Sequence, residues 1–88
     1  MQTKDAYVKN KTGLHARPAS IFVKLAKTFK SEIFIEKDDK KVNGKSILGL
    51  LGMSISCGDQ ITINVNGEDE KKAIKSICDL FENGLMEE

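Results

Sequence analysis

The sequence predicts an α/β (α+β) domain in which an antiparallel sheet is covered on one face by helices. The chain has 88 residues, the length of one small domain. Its strand-like segments alternate apolar and polar residues, as expected for an antiparallel sheet with one face in water. Two other segments space their apolar residues at i, i+3, i+4 and i+7, the pattern of a helix with one buried face. With a short helix between them, these segments predict the order β-α-β-β-α-β-α.

Four segments have the alternation of strands, and turn residues separate them. The strands are predicted at residues 4–9, 31–37, 40–43 and 61–66, and the loops or turns at residues 10–13, 38–39 and 58–59. In the first strand, Ala6 and Val8 share one face and Tyr7 lies on the other. The last strand alternates most clearly, with Ile61, Ile63 and Val65 opposite Thr62, Asn64 and Asn66. One face of the sheet is therefore expected to meet helices and the other to meet water.

Three segments are predicted to be helices. The first starts at Ala16, with Pro18 in its first turn, where the missing N–H of proline costs nothing. A short helix follows Ser46, a good N-cap residue, and runs to about Leu51. The last opens with the acidic residues 68–70, which suit the positive end of the helix dipole. Each long helix has one apolar stripe. The stripe of the first helix is Ala19, Phe22, Val23, Ala26 and Phe29, and that of the last helix is Ala73, Ile74, Ile77, Cys78 and Phe81. Residues 83–84 (Asn-Gly) are predicted to end the last helix.

Composition and charge exclude several classes of protein. Fourteen Lys and Arg against thirteen Asp and Glu leave a net charge of +1, whereas nucleic-acid binders usually carry a basic excess. The longest apolar stretch, residues 47–53, is interrupted by two glycines, and no apolar signal region follows the N-terminus. We therefore expect a cytoplasmic protein with no membrane insertion and no direct nucleic-acid partner.

The cysteines do not indicate a metal site. Cys57 and Cys78 are too far apart for a Cys-x-x-Cys pair, and the chain has a single histidine, so no zinc site is expected. We interpret both cysteines as reduced, buried thiols rather than as a disulfide or as reactive groups.

The most informative segment is residues 13–18, Gly-Leu-His-Ala-Arg-Pro, at the predicted junction of a loop and a helix. The start of a helix presents backbone N–H groups and a positive dipole end, which together bind anions. The dipole and Arg17 both disfavour an imidazolium, so we expect a neutral, nucleophilic His15; Arg17 also offers planar donors to phosphate oxygens. This combination suggests phosphoryl transfer through a phosphohistidine. A histidine beside a helix start is, however, more often a cap or a surface residue, and Pro18 can be a helix initiator only.

Ser46 and the residues after it form a second candidate site. A phosphoryl group on Ser46 would meet N–H groups of the short helix, so the modification is compatible with the fold, although a plain N-cap is the simpler interpretation. Three apolar side chains cannot all point inward from so short a helix, so part of this set is expected to be exposed unless it packs in the core. We call the set the apolar patch: Ile47, Leu48 and Leu51.

A third feature is the basic stripe, defined as Arg17, Lys24 and Lys27. These residues lie on roughly one side of the first helix, because they follow one another at +7 and +3. The stripe suits an acidic protein surface, or is simply a solvated helix face.

Two segments resemble the signatures of one family. Residues 10–19, Asn-Lys-Thr-Gly-Leu-His-Ala-Arg-Pro-Ala, resemble the active-site signature of HPr, the histidine phosphocarriers of the bacterial phosphoenolpyruvate-dependent sugar phosphotransferase system. Residues 41–50, Lys-Val-Asn-Gly-Lys-Ser-Ile-Leu-Gly-Leu, resemble the regulatory serine site of that family, and residues 67–70, Gly-Glu-Asp-Glu, are also similar. The likeness covers essentially the whole chain, and two motifs in register are far more specific than either alone.

The resemblance implies one HPr phosphocarrier domain over residues 1–88, with an open-faced β-sandwich fold. Its four-stranded antiparallel sheet would have the order 1-4-2-3 and carry three helices on one face. His15 would accept a phosphoryl group at Nδ1 from phosphorylated enzyme I and pass it to sugar-specific IIA domains, while Ala16 and Arg17 hold the phosphate. The protein would be a carrier rather than an enzyme, monomeric and without a cofactor or metal.

The resemblance also implies regulation at Ser46 by an HPr kinase/phosphorylase. Phosphoserine there would impede transfer at His15 and promote binding to a catabolite control repressor, which links the protein to carbon catabolite repression. The partners would share one docking surface, formed by Arg17, Ser20, Lys24, Lys27, Ile47, Leu48 and Leu51.

The sequence departs from the family pattern in small ways. Leu48 stands where many relatives have Met, which keeps the apolar character. A regulatory paralogue has Gln at the active position, whereas this chain has His15, so transport competence is expected.

Two other functions compete with the phosphocarrier interpretation. A small acyl-phosphate hydrolase would need a second catalytic group beside His15, and a purely regulatory binding module acting through Ser46 would leave His15 without a role.

Overall fold

A four-stranded antiparallel sheet with three helices on one face makes up the computed structural model, which describes residues 1–9, 11 and 13–82. The strands are β1 (Gln2–Tyr7), β2 (Glu32–Lys37), β3 (Lys40–Asn43) and β4 (Gln60–Asn66), and the helices are α1 (Ala16–Ala26), α2 (Ile47–Gly52) and α3 (Glu70–Glu82). Their order in the sheet is β1-β4-β2-β3, and every neighbouring pair is antiparallel. The predicted fold class, sheet order and element order are confirmed.

The core lies between the sheet and the helices. Alternate residues of the two central strands point toward the helices and are almost fully buried: Ile33, Ile35, Ile61, Ile63 and Val65. From the helices, Phe22 of α1 and Phe81 of α3 meet in a tilted pair, with ring centroids 5.6 Å apart. Burial of each ring contributes about 1.5–3 kcal/mol, so this contact is a main link between the two long helices.

The other face of the sheet is polar, as the alternation predicts. Thr62 donates a hydrogen bond to Asp5 across β4 and β1, with 2.8 Å between the oxygens. Thr3 and Asn64 make a second link between the same strands, at 3.0 Å. Tyr7 is exposed on this side while Val8 is buried, as predicted.

Several predicted boundaries differ from the structure by one to three residues. The first strand lies two residues earlier than predicted, at Gln2–Tyr7, and the second begins at Glu32. Helix α1 ends at Ala26, although the apolar stripe continues to Phe29. Phe29 still packs against the core because its N–H donates to the carbonyl of Ala26 at 3.2 Å, an i to i+3 bond that tightens the chain after the helix. Positions 10 and 12 of the predicted loop and the predicted helix end at residues 83–84 lie outside the described residues.

The prediction of two buried thiols is wrong for Cys57. This side chain is exposed in the turn before β4, whereas Cys78 is half-buried on α3. Burial raises the pKa of the Cys78 thiol. Among the described residues both are free thiols. Within the same residues, no helix is both long and apolar enough to cross a membrane.

Candidate functional site

His15 occupies the N-cap position of α1. Its backbone is extended (φ −75°, ψ −175°), and its carbonyl accepts the N–H of Ala19 at 2.9 Å, the first hydrogen bond of the helix. Its side chain is exposed and, within the described part of the chain, makes no capping hydrogen bond. The side chain therefore is a surface group rather than a cap, which is compatible with both the reactive and the plain surface interpretation, and the imidazole is accessible to a reactant.

The chain just before His15 is held against the loop between α2 and β4. Gly13 has φ +69°, and a Cβ built on it would lie 2.8 Å from Ser56 Cα and closer still to the carbonyl oxygen of Ile55. The next residue, Leu14, is buried and donates its N–H to that same carbonyl at 3.0 Å. This close approach of two backbones requires glycine and sets the direction in which the chain enters α1.

The first turn of α1 is suited to an anion. It contains no acidic residue, and Pro18, buried beneath it, has no N–H. In any α-helix the first-turn N–H groups have no carbonyl partner inside the helix, and the dipole is positive there. Arg17 is exposed in this turn, one residue beyond Ala16. A phosphoryl group on His15 would therefore lie near the backbone N–H groups of this turn, and Arg17 as a phosphate ligand remains a prediction.

Ser46 is the N-cap of α2, as predicted. Its Oγ accepts the N–H of Gly49 at 3.1 Å, and its carbonyl accepts the N–H of Leu50 at 3.1 Å. The preceding Lys45 reaches back to the turn that follows α1, where its Nζ donates to the carbonyl of Phe29 at 2.8 Å. These bonds establish the structural role of Ser46 but do not test its phosphorylation, which stays a prediction.

The apolar patch is on the surface and adjoins His15. Leu48 is 84% exposed, and Ile47 and Leu51 are 39% and 37% exposed, whereas Leu50 of the same helix is fully buried. Leu51 also lines a shallow depression together with His15. The interpretation of the patch as core packing is therefore wrong.

The other residues expected to bind partners belong to α1. Arg17, Lys24 and Lys27 are exposed, and Ser20 is half-buried. Since α1 packs beside α2, the basic stripe and the apolar patch lie on neighbouring elements. Their use by partners is untested by this geometry and remains a prediction.

The loop between α2 and β4 has a contact with the His15 segment that no sequence pattern predicted. Ser54, Ile55 and Ser56 line the same depression as His15, and Ser54 has φ +55°, an uncommon conformation for a residue with a side chain. The turn at residues 58–59 was predicted, but the ion pair between Asp59 of this turn and Lys37 of β2 was not. No periodicity or motif signals that contact, because it joins two distant segments.

Among the described residues, no three His, Cys, Asp or Glu side chains come together as metal ligands.

Known proteins match this chain over nearly its whole length. A family model described as PTS HPr component phosphorylation site matches residues 2–83. The HPr-like protein Crh of Halalkalibacterium halodurans is 51% identical over 82 residues, covering 93% of this chain and 98% of that protein. The phosphocarrier protein HPr of Borreliella burgdorferi is 46% identical over 83 residues, covering 94% of this chain and 96% of that protein.

Solved structures share the fold. A crystal structure of HPr-C-His from Thermoanaerobacter tengcongensis matches with a TM-score of 0.96 and 48% identity, covering 100% of this chain and 99% of that chain. A crystal structure of an HPr dimer from the same organism matches with a TM-score of 0.79 and 47% identity, covering 99% and 100% of the two chains. Since a relative this similar is described as a dimer, the expected monomer remains a prediction.

Proposed function

Because this chain belongs to the HPr phosphocarrier family, we propose that it carries a phosphoryl group on His15 between two protein partners in the bacterial cytoplasm. The Nδ1 lone pair attacks phosphorus on phosphorylated enzyme I. The bond from phosphorus to the donor side chain breaks, and its electron pair stays with the donor. A IIA domain then takes the phosphoryl group from His15 in the same way, so the carrier is regenerated.

The observation that carries this proposal is the exposed, uncapped imidazole at the N-terminus of α1. A nucleophile must reach phosphorus in line with the leaving group, so it needs an open approach. The absence of an acidic residue from the first turn supports the proposal, because the backbone N–H groups there and Arg17 would then stabilise a phosphoryl group unopposed. The acyl-phosphate hydrolase is less well supported, because the described residues that line the depression beside His15 are leucine, isoleucine and serine, and none of them is a second acid or base.

The test is phosphoryl transfer from labelled phosphoenolpyruvate in the presence of enzyme I and Mg²⁺. His15 is the only histidine of the chain, so we expect one acid-labile, alkali-stable label per chain and no label on His15→Ala. Retained stoichiometric labelling of His15→Ala would refute the assignment. Catalytic release of inorganic phosphate from acetyl phosphate would instead support the hydrolase.

We further propose that Ser46 is a regulatory phosphorylation site for an ATP-dependent HPr kinase/phosphorylase. Ser46 directly precedes the exposed apolar patch, so a phosphoryl group there changes the charge of the same surface that partners would contact. The likeness to an HPr-like Crh protein supports a regulatory role beside transport. Phosphoserine would then weaken docking at His15 and favour a catabolite control repressor.

The Ser46 proposal predicts that Ser46→Asp slows phosphorylation of His15 by enzyme I. Ser46→Asn is the matched control, because its amide oxygen can accept the Gly49 N–H as the Asp carboxylate can, but it adds no charge. If both variants slow transfer equally, the added charge is not the cause and the regulatory proposal is wrong. Incubation with the kinase and ATP should label the wild-type chain and not Ser46→Ala.

A further inference from the structure

Lys37, at the end of β2, joins two parts of the loop that supports His15. Its Nζ donates to the carbonyl of Ser54 at 3.1 Å and lies 2.8 Å from Oδ2 of Asp59. The same carboxylate oxygen accepts the N–H of Ser56 at 2.8 Å, and the N–H of Asp59 donates to the carbonyl of Ser56 at 3.0 Å. One ion pair therefore holds both ends of residues 54–59, which we call the support loop.

The support loop carries the segment that ends in His15. Ile55, in the middle of the loop, is buried, and its carbonyl accepts the N–H of Leu14, the residue before His15. Ser54, Ile55 and Ser56 also line the depression at whose edge His15 lies. A continuous set of contacts thus runs from Lys37 and Asp59 through the loop to the backbone of the reacting residue.

We propose that Lys37 and Asp59 are positioning residues for the His15 site: their ion pair fixes the support loop, and the loop fixes Leu14 and the orientation of the His15 imidazole for phosphoryl transfer. This inference rests on the proposed function. Neither residue touches the phosphoryl group, and both act through the carbonyl of Ile55.

The local structure explains why this pair matters more than an ordinary surface ion pair. The two side chains are only 21% and 30% exposed, whereas the Lys75–Asp79 pair on α3 is 79% and 62% exposed and spans 3.3 Å. Lys37 also donates to the carbonyl of Ser54. Ser54 has a positive φ, a backbone conformation that is unfavourable for a residue with a side chain and persists only when surrounding contacts hold it. The bonds from Lys37 and from the Ser56 N–H lower the pKa of Asp59, so the carboxylate is charged near neutral pH.

The experiment compares Lys37→Met and Asp59→Asn with Lys75→Met in the full chain. Met keeps the aliphatic stem of lysine, and Lys75→Met makes the same change of charge at a pair on a single helix. The first readout is amide hydrogen exchange at Leu14 relative to Ile63 in the sheet centre. The second is the steady-state kinetics of enzyme I with each variant as the phosphoryl acceptor.

We expect Leu14 exchange to become about threefold to tenfold faster in Lys37→Met and Asp59→Asn, with Ile63 unchanged, because the loop opens locally. The kcat for transfer should fall by a similar factor with KM unchanged. The two substitutions change the net charge in opposite directions, so a shared decrease excludes long-range electrostatics as the cause. Lys37→Arg, which keeps charge and donors, should restore both readouts.

Several results would overturn the positioning role. One is equal acceleration at Leu14 and Ile63, which would mean a purely structural pair. Another is that Lys37→Met and Lys75→Met give the same rate of Leu14 amide exchange and the same kcat. A wild-type chain that accepts no label from active enzyme I would instead refute the proposed function, and that result is distinguishable because labelling of the wild type is measured first.

Discussion

Gly13 shows how a single backbone position determines where His15 lies. Its φ of +69° turns the chain toward α1, and its missing Cβ allows contact with the backbone of Ile55 and Ser56. The Leu14 N–H can reach the Ile55 carbonyl only because of this approach. Gly13 therefore sets the geometry of the segment in which His15 and Arg17 are the proposed reactive and phosphate-binding residues.

At this scale we predict that Gly13→Ala destabilises the protein and slows acceptance of the phosphoryl group. Gly58→Ala is the matched control, since Gly58 also has positive φ (+90°) but no described atom lies within 4 Å of a Cβ built there. The backbone conformation alone costs about 1–2 kcal/mol for alanine, and Gly13→Ala adds a collision with two backbone atoms. Urea denaturation should show the larger loss for Gly13→Ala; equal losses would contradict the role of close contact.

Among the elements, the start of α3 shows a role that charge pattern alone does not reveal. The sequence predicts that acidic residues 68–70 suit the helix dipole. In the structure, the Asp69 carboxylate also accepts hydrogen bonds from the N–H groups of Lys30 and Ser31, at 2.9 and 3.0 Å, and from the Ser31 hydroxyl. One side chain thereby joins the start of α3 to the start of β2.

This arrangement predicts a loss of stability in acid. The Ser31 hydroxyl, then the Lys30 N–H, hold the pKa of Asp69 below its ordinary value, and the pKa values of Asp59 and Glu70 are lowered too. A carboxyl whose pKa is lower in the folded state binds fewer protons there than in the unfolded chain. Its stabilisation is complete above about pH 5 and disappears as the pH falls through the folded-state pKa.

Urea denaturation of wild type and Asp69→Asn between pH 7 and pH 3 checks this expectation. The free energy of unfolding of the wild type should fall with decreasing pH, and Asp69→Asn should be less stable at pH 7 with a shallower pH dependence. Asp79→Asn is the control, because that carboxylate is 62% exposed and pairs with Lys75 on its own helix. Parallel curves for wild type and Asp69→Asn would mean that Asp69 does not contribute.

Element boundaries also show where sequence reasoning stops. Periodicity identified the strands and the two long helices, because it reports which side chains are buried, whereas α2 was predicted from Ser46 as an N-cap. It misplaced the end of α1 since the i to i+3 turn keeps Phe29 on the apolar side without continuing the helix. Periodicity likewise could not show that β2 begins at Glu32, because the Ser31 N–H donates to Asp69 instead of to a neighbouring strand. Motifs identified His15, Arg17 and Ser46, but the support loop depends on contacts between distant segments.

For the whole molecule, the net charge of +1 conceals a separation of charge. The basic stripe is on α1, on the helical side of the sheet, beside the apolar patch. On the open face, one depression is lined by four carboxylates, Asp5, Glu36, Asp38 and Asp59, and by Lys37, which pairs with Asp59. We therefore expect a partner with an acidic surface to approach the side that carries the basic stripe rather than this depression.

This charge separation predicts that replacing both Lys24 and Lys27 by Glu slows association with enzyme I by about tenfold at low ionic strength. Salt at about 1 M shortens the Debye length to roughly 3 Å, so the difference from wild type should largely disappear there. Lys71→Glu with Lys72→Glu is the matched control, because it makes the same change of net charge on α3. Association rates from stopped-flow measurements over a range of salt concentrations separate the cases. If both double variants slow association equally, net charge is responsible; if only the α1 variant does, and salt removes the effect, the basic stripe steers the partner toward His15.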